Sequence, residues 1–139
     1  MTIAYFDCFA GISGDMVLGA LVDAGGDRTC IDFAVDALGL RGEVEVEVRR
    51  EQRGHVGGAR VVLTTRDGTS RNVAGLRAAI EKAEMPEHVR TQARAAIDLL
   101  AAVEGSLHDE DEAHLHLHEL GGADTLVDIV GAFWLLHSM

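Results

Sequence analysis

The sequence predicts an α+β or α/β fold in which a small mixed sheet packs with four or five helices. Three observations carry this. GEVEVEVRR at 42–50 alternates strictly, Val44, Val46 and Val48 facing one way and Glu43, Glu45, Glu47 and Arg49 the other, as in a half-buried strand with a wet face. RVVLTT at 60–65 is a β-rich partner for it. Around the two lie stretches with apolar residues at helix spacing, such as Ile31, Ala34, Val35 and Leu38.

Taken in order, IAYFDCF at 3–9 is a short apolar and aromatic run, closed by the glycines and serine of AGISGD, so a strand leading into a loop is expected. GDMVLGALVDAG then spaces Met16, Leu18, Leu21 and Val22 along one helix face. Asp27 to Leu40 forms a second helix, stopped near Gly39. QRGHVGG, between the two strands, holds more glycine than a regular element keeps. DGTS turns the chain into a helix over VAGLRAAIEKA, and Pro86 separates this from another over 87–105, where Ala93, Ile97, Leu100 and Ala101 make the stripe. TLVDIVGAFWLL is the last helix, with Asp128 one turn after Asp124.

At 139 residues the chain fits one domain, and with 47% hydrophobic but only 4% aromatic residues its core is filled by Val, Leu, Ile and Ala. The 23 acidic against 12 basic side chains give a formal charge of −11. That field repels nucleic acid and anionic membrane and attracts cations, so a phosphate-bearing ligand needs a local positive site. Two cysteines, Cys8 and Cys30, with no secretory pattern and no stretch of transmembrane length, point to a reduced, cytoplasmic protein. Cys8, among Tyr5, Phe6 and Phe9, is expected in the core. DIVGAFWLLHSM stays apolar to the last residues, which suggests a continuation that would cover it.

HLHLHE at 114–119 concentrates three of the 7 histidines. If extended, it puts His114, His116 and His118 on one face and Leu115 and Leu117 on the other. Three readings stand: contact with a metal or substrate, surface histidines beside a buried leucine face, or accidental alternation in a loop or helix. Imidazole with a carboxylate from Glu119 or Asp124 makes a mixed N/O donor set suited to Zn, Ni, Co or Fe. Asp124 and Asp128 are either site carboxylates or ordinary first-turn helix residues.

FDCFAGISGD passes from strand to helix through Gly11, Ser13 and Gly14, either as a nest of N–H groups for an anion or as a plain tight turn. It lacks the ending of a nucleotide P-loop. Asp7 interrupts an apolar strand, where an unpaired charge is costly, and serves as a cation ligand or a strand-end cap. Asp15 is a ligand or a first-turn helix carboxylate.

YFDCFAGISGDMVLGALVDAG at 5–25 and HLHLHELGGADTLVDIVGA at 114–132 resemble the LarC family of nickel-insertion proteins, and AAIEKAEMPEHVRTQARAAIDLLAAVEGSLH fits the part between. The resemblance implies a protein that places Ni²⁺ into pyridinium-3,5-bisthiocarboxylic acid mononucleotide to form the nickel-pincer nucleotide cofactor, a lyase-type cyclometallation dependent on CTP with Mg²⁺ or Mn²⁺. By that likeness Asp7 and Asp15 are catalytic, Gly11, Ser13 and Gly14 bind the cofactor precursor, and His116, His118, Glu119, Asp124 and Asp128 hold metal. Full members are about three times longer, so residues 1–139 are expected to be a LarC-like N-terminal domain, a fragment or separate subunit that acts with a C-terminal domain or subunit and is inactive alone. A homo-oligomer is also expected.

Two positions depart from the family pattern. TSRNVAGL at 69–76 has Arg71 and no histidine, and Gly122 replaces a small apolar residue. Two other functions compete: a nonenzymatic nickel-binding or assembly module, and a metal-dependent phosphohydrolase using Asp7, Asp15 and the histidines.

Overall fold

The computed structural model describes residues 3–66, 68–108, 115 and 118–139, with only the backbone of His108, His118 and Glu119. The elements run α1 (Gly14–Asp23), α2 (Thr29–Ala37), β1 (Val44–Arg53), β2 (Val56–Thr65), α3 (Val73–Lys82), α4 (Glu87–His108), a 3-10 turn (His118–Gly121) and α5 (Ala123–Ser138). Among the described residues this is an α+β architecture with five α-helices, one of the two arrangements expected. The expected mixed sheet is, among the described residues, one antiparallel pair, because consecutive strands joined by two residues can only run antiparallel.

Alternation in β1 works as the sequence predicts. Val46 pairs with Leu63 and Val48 with Val61, and this face packs on the core while the glutamates stay wet. The strands are longer than expected. Most of QRGHVGG is absorbed into them, Arg53 pairing with Val56 around Gly54 and His55. Gly54 has φ +61°, the left-handed conformation that lets a two-residue turn follow the twist of the hairpin.

The core is aliphatic. Leu18 of α1, Ile31 and Ala34 of α2, Leu76 and Ile80 of α3, Ala93 and Ile97 of α4, and Leu126, Val127, Val130 and Leu135 of α5 are fully buried. Each large side chain contributes about 1.5–3 kcal/mol by leaving water. Helix α5 is the centre, packing against α1, α2, α4 and β2, while α1 also lies on β2. The approach of α1 to β2 is close: a Cβ on Gly19 would stand 2.7 Å from the Ala59 carbonyl oxygen.

The expected first strand does not form among the described residues. Residues 3–8 carry no strand pairing, and Ile3, Tyr5 and Phe9 are 75%, 86% and 94% exposed. A strand needs a neighbour for its backbone groups, and the β1–β2 hairpin supplies none here. Cys8 is therefore exposed rather than in the core, and Cys30 is the buried thiol. Met16 likewise turns outward, leaving Leu18, Gly19 and Leu21 as the packed face of α1. His114, His116, Leu117 and the acidic run 109–112 lie outside the described residues.

Candidate functional site

The glycine loop and the last helix, at opposite ends of the chain, meet where α1 begins. Gly14 opens α1, and the Asp128 side chain lies directly against it, in the space any Cβ at that position would need. Ser13 precedes the helix in an extended conformation but makes no side-chain cap. Its hydroxyl donates instead to the Asp15 carboxylate. Asp124 sits in the first turn of α5 and folds back over Gly122, whose missing side chain makes the room. That is the physical role of the glycine at this position.

Asp128 is the unusual member. Its Oδ1 is buried and has no hydrogen-bond partner among the described residues. Burial first, then the negative charges of Asp15 and Asp124, push its carboxyl up to about 7. A buried carboxylate oxygen without a donor is costly, and three acidic side chains converging on one helix end add repulsion. A bound cation would relieve both.

The other expected residues are placed as follows. Gly11 has φ +79°, and its N–H donates to the Cys8 carbonyl at 3.0 Å, so this donor closes a turn. Asp7 is exposed, which removes the cost of a charge in an apolar strand. The structure brings together Ser13, Gly14, Asp15, Asp124 and Asp128. His116 lies outside the described residues; the backbone of His118 and Glu119 enters the 3-10 turn just before α5, so an extended run ends by that point. Leu115 is buried, while Leu117 lies outside the described residues. Among the described residues no group of three or more His, Cys, Asp or Glu side chains is arranged to hold a metal ion.

Sequence reasoning missed the clamp that seats this turn. The Arg71 N–H donates to the Gly121 carbonyl at 2.8 Å, and the Arg71 guanidinium pairs with Glu43 at 2.8 Å. A Cβ on Gly121 would stand 2.5 Å from the Arg71 carbonyl oxygen. The partners are too far apart in sequence for any local signal.

The sequence profile of the family described as nickel insertion protein matches residues 4–139. The chain belongs to this family. Among nickel insertion proteins, a relative in Syntrophobacter fumaroxidans is 36% identical over 139 residues, which is all of this chain and 36% of the relative. The pyridinium-3,5-bisthiocarboxylic acid mononucleotide nickel insertion protein of Akkermansia muciniphila is 36% identical, covering 95% of this chain and 35% of its own length. The protein of the same name in Desulfitobacterium hafniense is 36% identical over 98% of this chain and 35% of its own. The chain thus spans about a third of the length of these family members. No solved structure matches it. No described helix is long and apolar enough to cross a membrane.

Proposed function

We propose that this chain takes part in nickel insertion into pyridinium-3,5-bisthiocarboxylic acid mononucleotide, the step that yields the nickel-pincer nucleotide, by holding the incoming Ni²⁺ at Asp128 and Asp15 together with donors from outside the described residues, Asp124 adding negative charge beside them. The observation that carries this reading is the buried, unpartnered Oδ1 of Asp128 beside two further carboxylates. Nickel is here the substrate being delivered. Oxygen donors suit delivery because they bind a borderline cation less tightly than thiolates do, so the ion can pass on to sulfur and carbon.

Asp15 and Asp128 supply an open set of donors. His116, His118 and Glu119 are the candidates to complete it, since the 3-10 turn leads directly into α5. Ser13 orients Asp15 through its hydroxyl. Gly11 and Gly14 give the loop its shape, and Asp7 enters only if the loop folds toward α1. CTP with Mg²⁺ or Mn²⁺ belongs to the intact protein, and no described residue is assigned to it. The partner is a C-terminal domain or subunit of the kind the longer relatives contain, the setting is cytoplasmic, and a homo-oligomer is compatible with it.

Calorimetric titration of the chain with Ni²⁺ tests this. Asp128→Asn and Asp15→Asn should each weaken binding at least tenfold while leaving the circular dichroism of the helices intact. Unchanged affinity in both variants would remove the carboxylate site. A second reading, a nonenzymatic assembly module, is favoured by the exposed apolar side chains of Ile3, Tyr5, Phe6 and Phe9, which a protein partner could cover.

A further inference from the structure

Beside Asp15 a cleft of about 420 Å³ opens between the start of α1 and the tip of the β1–β2 hairpin, a volume in the range of small-molecule sites. Asp15 and Met16 form one wall, and Glu51, Arg53, Val56 and Arg60 the other. Register explains the second wall. Arg49 faces Arg60, Glu51 faces Gly58 and Arg53 faces Val56, so these side chains share the outer face of the hairpin.

Gly58 puts no side chain across from Glu51, and the Glu51 carboxylate lies among guanidiniums. It accepts from Arg60 Nη1 at 2.8 Å and from Arg53 Nε at 3.1 Å, with Arg49 Nη2 at 3.8 Å. The hydrogen bonds from Arg60 and then Arg53 hold this carboxyl below its ordinary range. In a chain of net charge −11, three arginines around one carboxylate form a local anion receptor, already filled by an internal oxyanion.

We propose that this cleft binds the phosphate of a phosphorylated aromatic ligand, Arg53 and Arg60 turning from Glu51 to the phosphate while Met16 and Val56 pack on the ring. A phosphate carries more charge than a carboxylate and more acceptors for the forked guanidinium, so it displaces Glu51. The two apolar wall residues are 57% and 76% exposed and gain by being covered. The Asp15 charge repels phosphate, which orients the ligand with its phosphate at the hairpin tip and its ring toward the carboxylates. This assignment rests on the nickel-insertion reading for the identity of the ligand, a pyridinium mononucleotide.

The test is calorimetry of the nickel-free chain with nicotinic acid mononucleotide and with the corresponding riboside, which lacks the phosphate. The mononucleotide should bind at least tenfold more tightly than the riboside. The double variant Arg53→Gln, Arg60→Gln should lose that advantage, whereas Glu51→Gln, by removing the competitor, should raise mononucleotide affinity severalfold. Opposite effects from substitutions on one exposed hairpin face separate recognition from loss of fold. Absence of binding to the wild type, equal affinity for the two compounds, or indifference to either substitution overturns the proposal. Ni²⁺ titrations of the same samples keep the two readings apart. If nickel binds and the mononucleotide does not, only the cleft assignment falls; if the mononucleotide binds and nickel does not, it is the carboxylate site that fails.

Discussion

Replacing Asp128 with Asn should make the protein more stable at neutral pH, and the size of the gain follows from the site. Moving a carboxyl from its ordinary 3.8 to about 7 amounts to roughly 4 kcal/mol against the ionised form. Water still reaches part of this side chain, which screens the charges and cuts the expected effect to about 2 kcal/mol. The sign is set by proton binding. Between pH 4 and pH 7 the folded chain holds a proton on Asp128 that the unfolded chain has released, so stability from this group is full below pH 4 and is lost as pH rises through 7. Asn cannot ionise and escapes the loss. Urea unfolding of wild type and Asp128→Asn should therefore give nearly equal stabilities at pH 4 and a variant about 2 kcal/mol more stable at pH 8. A stability difference that does not change between these pH values would refute the picture of a crowded, desolvated carboxylate. If Ni²⁺ binds at this carboxylate it competes with the same proton, and wild-type nickel affinity should then rise from pH 6 to pH 8.

Two other outcomes are expected. Gly14→Ala places a methyl in the space of the Asp128 side chain; despite the better helix propensity of Ala, it should cost about 1–3 kcal/mol by overpacking and weaken Ni²⁺ binding, read by urea unfolding and calorimetry. Joint replacement of His116 and His118 by Ala should lower Ni²⁺ affinity at least tenfold with helix content unchanged, and an unaltered affinity would confine the site to the carboxylates.

What could be read from the sequence was whatever depends on local period. The alternation of Val44, Val46 and Val48 gave β1, and the stripe of Ala93, Ile97 and Ala101 gave the buried face of α4. Pro86 correctly divided α3 from α4. The run at 3–9 misled because β-propensity speaks of a residue's fit to a sheet and not of whether a neighbouring strand exists. Cys8 failed with it, since its burial was inferred from that strand. The glycines of QRGHVGG looked like a loop, yet Gly57 and Gly58 pair within the hairpin, where tertiary pairing outweighs propensity. Of the candidate site, the residue types were visible, and the one-turn spacing of Asp124 and Asp128 was readable. The contact of Asp128 with Gly14 was not, because it depends on how α5 crosses α1. Nor was the pairing of Arg71 with Glu43, which joins a loop to a strand edge.

The acidic residues of α5 ride on the same helix whose other side carries Leu126, Val127 and Val130 at the centre of the molecule. If an ion binds at Asp128, loading and rigidity become one event: it would brace the element against which α1, α2 and α4 pack, and slow amide exchange should spread from α5 to these helices as the ion is added.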